Sequence, residues 1–172
     1  DLDSPVLKCT ISSPDLSIMN EQFSDFIFDM GFNQFNLDVN QLKVAHKIGY
    51  IEADGDISLG DIFPNGLIDN VESKFIFLTT DDFKKSLDKI VWNLNAKVDL
   101  KEPKELLEKF EIKGVDGSLS VDLSAGGNLV SPNGELVIKG DNISYMDFPL
   151  IDTNVELNLN DRMVKLKEFN LS

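Results

Sequence analysis

The chain is short of most residues on which enzymes and metalloproteins depend. It carries one histidine, His46, and one cysteine, Cys9, in 172 residues. One imidazole excludes HExxH and every multi-histidine metal centre. One thiol excludes an internal disulfide framework and any multi-thiolate zinc site. Positive charge is scarce too: 16 Lys plus Arg stand against 30 Asp plus Glu, a formal charge of −14. Such a chain repels phosphate backbones and anionic headgroups, which argues against nucleic-acid binding and against electrostatic docking on a membrane. No continuous apolar run reaches the ~18 to 20 residues of a membrane span. The start, Asp1-Leu2-Asp3-Ser4-Pro5, has neither the basic nor the apolar region of a signal peptide and no initiator methionine. The expectation is an excised or processed segment whose export signal or anchor lies outside it. The composition is nevertheless globular, with 42% apolar and 27% charged residues.

What the sequence does have is alternation. Trp92, Leu94, Ala96, Val98 and Leu100 alternate with Asn93, Asn95, Lys97 and Asp99. Val115, Gly117, Leu119, Val121 and Leu123 alternate with Asp116, Ser118, Ser120 and Asp122. Ile151 to Leu159 and Phe35 to Val39 follow the same rule. Successive strand side chains point to opposite faces, so each segment predicts a strand with one apolar and one wet face, the pattern of antiparallel sheet. Shorter runs extend the scheme: 6–11, 42–44, 48–53, 57–59, 71–77, 134–138, 143–145 and 164–166. Turn chemistry is read at Asp54-Gly55, Asn65-Gly66, Gly126-Gly127, Asn133-Gly134, Asp141-Asn142 and Asn160-Asp161. From Gly114 onward strand and turn repeat as a meander.

Three segments break the rhythm. Thr80-Asp81-Asp82-Phe83 supplies a capping hydroxyl and early acids for a helix with Phe83, Leu87, Ile90 and Val91 on one stripe. Glu102-Pro103 opens a second short helix with Leu106, Leu107 and Phe110 on its inner side. Glu21–Met30 is ambiguous: Phe23, Phe26, Ile27 and Met30 suit a helix, Phe26 and Phe28 would suit a strand, and the segment is read as helix. No linker or low-complexity run divides the chain, so residues 1–172 form a single β-rich segment.

No catalytic set emerges. Glu52-Ala53-Asp54-Gly55-Asp56 has the density of acids of a calcium loop, but Ile57 stands where the loop glycine belongs and no bidentate glutamate follows; an acidic hairpin turn explains it better. Gly126-Gly127 lacks the Gly-Lys-Ser/Thr and the helix that cradle phosphate. His46 reads as solvated or hydrogen-bonded, and Cys9 as a small buried hydrophobe. Asn142-Ile143-Ser144 and Asn170-Leu171-Ser172 match a glycosylation acceptor pattern short enough to arise by chance. The expectation is a non-enzyme without cofactor or metal. The positive signal is the surplus of one-sided strands over helical cover. Periodicity alone favours a β-sandwich, in which a second sheet supplies the cover, over an open curved sheet with an apolar groove.

A resemblance shifts that balance. Gly114–Leu123 is followed by Gly127-Asn-Leu-Val-Ser-Pro132-Asn-Gly134-Glu-Leu136-Val-Ile138, then Gly140-Asp-Asn142-Ile-Ser-Tyr145 and Phe148–Leu159. This series resembles the repeats of the periplasmic AsmA-like and TamB-like proteins of Gram-negative bacteria, whose hairpins run G-x-L-x-x-P-x-G-x-L-x-I/L. Gly55–Leu59 with Phe63-Pro64-Asn65-Gly66-Leu67 is similar in a looser form, and the helical segments resemble insertions in AsmA-like chains. Residues 114–172 carry the resemblance most clearly. It implies a mainly β fold, a curved, taco-like antiparallel sheet with two or three short helical insertions, cut from a longer repeat-built protein. It also implies a periplasmic location in a parent anchored to the inner membrane, which alone would contact membranes, and a role in outer-membrane biogenesis. The partners implied are phospholipid or fatty acyl chains and an outer-membrane protein. The groove lining would be Trp92, Leu94, Ala96, Val98, Leu100, Leu119, Val121, Leu123, Leu136, Ile138, Val155, Leu157 and Leu159. The competing reading is a β-scaffold of the envelope that joins neighbours through edge strands.

Overall fold

The computed structural model describes residues 6–18, 21–59, 87–109, 111, 113–146, 148–149 and 152–171. The strands are β1 (Val6–Ile18), β2 (Glu21–Asn33), β3 (Asn36–His46), β4 (Gly49–Ser58), β5 (Val91–Leu100), β6 (Val115–Asn128), β7 (Pro132–Tyr145), β8 (Phe148–Pro149), β9 (Asp152–Asn160) and β10 (Met163–Leu171). All pair antiparallel in chain order within one ten-stranded sheet, and β8 joins the far end of β7 beside β9. The sheet is curved, open and not closed into a barrel. A 3-10 turn at Leu87–Lys89 and one short helix, α1 (Lys104–Lys109), interrupt the strands.

The helix at 104–109 starts one residue after Pro103, which is fully buried and whose carbonyl accepts a bond from Leu107 N at 2.8 Å. That is the place a proline tolerates, since the first helical turn has no use for its missing N–H. The helix read at Glu21–Met30 is instead β2. A register shift between Ser24 and Ile27, with Asp25 at φ 51°, is a β-bulge. The extra residue puts Phe23 and Phe26, three apart, on one face and so counterfeits helical spacing. Of the stripe at 83–91, Val91 begins β5, while Phe83 and the side chain of Leu87 lie outside the described residues, as do 71–77, Asn65-Gly66, Phe63–Leu67, Ile151, Phe110 and the side chain of Leu106.

Five of the turn signals need correction or fall outside. Asp54-Gly55 lies inside β4, Gly126-Gly127 inside β6, and Asn133-Gly134 and Asp141-Asn142 inside β7. Of the signals within the described residues, Asn160-Asp161 alone turns the chain, with Asp161 at φ 47° and Arg162 at φ 66°, the two positive values of a type I′ hairpin. The β6–β7 reversal falls at 129–131, where Asn128 Oδ1 accepts from the backbone N–H of Val130 and Ser131 at 3.0 and 2.6 Å.

The sheet has no second layer among the described residues. Besides Pro103, only Phe35, Ile48 and Leu100 are buried apolar side chains among the described residues, two of them at the turns that close β2–β3 and β3–β4. The whole chain exposes 11565 Å², against roughly 8,400 Å² for a compact monomer of this mass. The sandwich favoured by periodicity is therefore not the fold. Cohesion comes from ladder bonds and cross-strand pairs, each worth about 0.2–1 kcal/mol. On the polar face Asn93 Nδ2 donates to Asp56 Oδ1 (3.0 Å), Asn95 Nδ2 donates to Asp54 Oδ2 (2.9 Å), and Ser124 Oγ donates to Asn95 Oδ1 (3.0 Å). The acids once compared with a calcium loop thus work as strand-to-strand hydrogen-bond acceptors.

Candidate functional site: an apolar trough

Register turns the alternating strands into rows that cross the sheet. Val44, Ile51, Val98, Val121, Ile138, Val155 and Phe169 are successive partners from β3 to β10. The next row is Leu42, Ala53, Ala96, Leu123, Leu136, Leu157 and Leu166. A third is Val39, Gly55, Leu94, Ala125, Gly134, Leu159 and Val164. Cα partners in a sheet share a face, so these rows form one continuous apolar surface. Seven strands at ~4.8 Å spacing carry each row across roughly 29 Å. Register shifts at 24–27, 39–42 and 166–168 keep the same face apolar where the spacing slips, and bulges of this kind bend a sheet.

Two hollows lie on this face. The larger, about 730 Å³, is lined by Phe28, Phe32, Leu37, Val39, Leu42, Ala53, Ile57, Leu59, Ile90, Trp92, Leu94 and Leu129, with Asp54, Gly55, Asp56 and Asn93 also in its wall. That volume is within the ~300–1,000 Å³ range of small-molecule sites. The smaller, about 150 Å³, is lined by Leu123, Ala125, Leu136, Leu157, Leu159 and Val164, with the backbone of Gly134 and Glu135 nearby. Ala53, Gly55, Ala96, Ala125 and Gly134 keep the middle rows low between taller neighbours. Leu94 and Ile57 stay 38% and 39% exposed on the floor of the larger hollow, which only an uncovered face allows.

The residues expected to line a groove all fall on this one face. Trp92 and Leu94 reach the larger hollow; Leu123, Leu136, Leu157 and Leu159 reach the smaller. Ala96, Val98, Leu119, Val121, Ile138 and Val155 share the face and line neither hollow. Leu100 is buried at the opposite end of the sheet, where it helps to close β5. The sequence reading missed the β2–β4 contribution to the larger hollow. Phe28 suited the strand alternative that was set aside for a helix, and Phe32, beyond that segment, was given no reading. Leu37 and Val39 carried a visible alternation that was not assigned to a lining.

The trough floor is almost wholly apolar: Asp54, Asp56 and Asn93 border the larger hollow and Glu135 the smaller, and the one buried ring nitrogen on the floor, Trp92 Nε1, has no hydrogen-bond partner. His46 lies at one end of this face, where Nε2 sits 3.2 Å from Glu21 Oε2 and its ring packs 5.3 Å from that of Phe23, so it is held by bonding rather than left in solvent. Cys9 is half-buried in β1. Among the described residues no three His, Cys, Asp or Glu side chains gather as a metal site, and no helix is long and apolar enough to cross a membrane. The arrangement can hold apolar chains by desolvation, at roughly 0.8 kcal/mol per methylene removed from water. No family model, curated protein or solved structure matches this chain.

Proposed function

We propose that this chain is a non-catalytic β-groove segment, of the AsmA-like and TamB-like kind, that binds acyl chains of lipid along its apolar face and passes them on during outer-membrane biogenesis. The observation that carries the reading is the in-register alignment of apolar rows on a sheet face that no described element covers. Such a surface is costly to leave wet and exceeds the scattered apolar exposure of ordinary monomers. Hydrophobic transfer is non-directional, so a lining of Leu, Val, Ile and Phe suffices for a ligand that slides. The acidic opposite face keeps such a sheet soluble. In this reading the parent protein is periplasmic and inner-membrane anchored, and its partners are phospholipid or fatty acids and an outer-membrane protein.

Trp92 is the only tryptophan and lies on the floor of the larger hollow. Titration with 12-bromododecanoate should therefore quench its emission by contact, saturably, while dodecanoate shifts the emission to shorter wavelength without quenching. Emission unchanged by both compounds, in a protein shown to be folded, would remove the support for an acyl-chain trough.

A second reading draws on the free edges. β10 has no proline and leaves Met163, Val164, Leu166, Phe169 and Leu171 between 52% and 66% exposed, whereas Pro14 interrupts the outer edge of β1. An unguarded edge of this kind can accept a further strand. Concentration-dependent oligomers that form without lipid would favour that scaffold role.

A further inference from the structure

Arg162 is the only arginine in the chain, and it occupies an expensive position. It stands at φ 66°, beside Asp161 at φ 47°, in the β9–β10 hairpin. Glycine and asparagine are the residues that meet this geometry without strain, and a long side chain there carries a backbone penalty. Local strain of this kind points toward a role for the side chain it holds.

The side chain is fixed in a definite place. Arg162 Nε donates to the Val130 carbonyl at 2.7 Å, across to the neighbouring β6–β7 turn. Ser131 Oγ of that turn donates back to Asp161 Oδ1 at 2.8 Å. The two turns are thereby locked together. Leu129, next to Val130, lines the larger hollow, and Val164, two residues after Arg162, lines the smaller. Arg162 lines neither hollow itself, but it is bonded to the residue after Leu129 and lies two residues before Val164. Its terminal nitrogens have no carboxylate or other recorded partner among the described residues.

Resting on the acyl-chain reading above, the geometry points to Arg162 as the residue that selects ligands with an anionic oxygen group at the end of the tail. The tail lies in the trough and a carboxylate or phosphate meets the free face of the guanidinium. The planar fork of an arginine matches two acceptor oxygens, which a lysine does not. The net charge of −14 works against such a contact, although charges more than a Debye length of about 8 Å away are largely screened at physiological salt.

The test uses three twelve-carbon probes, dodecanoate, dodecyl phosphate and dodecanol, with Trp92 emission as the readout. The native chain should bind one or both anions about tenfold more tightly than the alcohol, and 0.5 M salt should narrow that gap. Arg162→Asn, which tolerates the positive φ, should abolish the preference and leave dodecanol affinity unchanged. Arg162→Lys should keep only part of it. If the carboxylate alone is preferred, the ligand class is a fatty acid; if the phosphate alone, a phospholipid headgroup. If Arg162→Asn retains the full preference, or the native chain binds all three equally, the assignment of Arg162 is wrong while the trough stands. If the folded native chain binds none of the three, the trough reading fails and Arg162 with it. A dichroism spectrum matched to the native chain shows that Arg162→Asn has kept the sheet.

Discussion

Leu94→Glu should weaken binding of a dodecyl ligand by about a hundredfold and lower the melting temperature by only about 3–6 °C. Leu94 lies on the floor of the larger hollow and is 38% exposed. A carboxylate there can keep its water while the trough is empty, so the folded state loses only the packing of one half-buried leucine, about 1–2 kcal/mol. An acyl chain laid over it must strip that water, at a cost of several kcal/mol. The two readouts therefore separate. In a closed sandwich the same substitution would bury an unpaired charge and unfold the protein. Titration of the variant with 12-bromododecanoate and a thermal melt followed by dichroism measure both quantities. Loss of folding, or binding reduced less than severalfold, would contradict the open-trough account.

The second large effect is expected at Gly49. A methyl group there would stand 1.8 Å from the Asp99 carbonyl oxygen and 2.9 Å from Leu100 Cα, and the glycine sits at φ 156°. The obstructing atoms are backbone of the paired strand, so no side-chain rotation relieves the clash. Gly49 is the partner of both His46 and Leu100, and it follows Ile48, whose carbonyl accepts from Lys101 N at 2.7 Å. Gly49→Ala should cost about 3 kcal/mol or more, because relieving the clash must part the paired backbone beside Ile48 and Leu100, two of the few buried side chains. Gly31→Ala is the control: nothing lies within 4 Å of its added methyl group. Its stability should stay within about 0.5 kcal/mol of the native chain. Urea unfolding of the two variants checks the contrast, and equal midpoints would count against the β4–β5 pairing described here.

Much of this fold could be read from alternation, and the errors have identifiable causes. Trp92 to Leu100 and Val115 to Leu123 alternate without a break, and both are strands. The hairpin signals at Asp54-Gly55, Gly126-Gly127 and Asn133-Gly134 misled because turn chemistry is local, whereas a long strand is set by its neighbours. Gly55 is passed straight through because Val39 and Leu94 pair on either side of it. The helix read into Glu21–Met30 failed for a related reason. One bulge residue at Asp25 changes a spacing of two into a spacing of three, and only the register with β3 reveals it.

The choice between sandwich and open sheet was not decidable from periodicity, since either arrangement needs the same one-sided strands. What decides it is whether another layer meets the apolar rows, a long-range property. The candidate lining from β5, β6, β7 and β9 was legible because each strand displayed its own apolar face. The depth of the trough was not. It arises where Phe28 and Phe32 from β2, Leu59 after β4 and Leu129 from a turn converge on Trp92, and no local pattern ties those positions together. Arg162 escaped notice for the opposite reason: a lone cation in a turn carries no spacing, and its bond to the Val130 carbonyl joins two turns far apart in sequence.

Native mass spectrometry of the chain mixed with dodecanoate and with a short-chain phospholipid tests the central claim most directly. An uncovered apolar face predicts discrete ligand adducts on the folded charge states of the native chain and their loss in Leu94→Glu. A folded native chain that remains free of adducts at every ligand concentration would show that the face is not available to a guest.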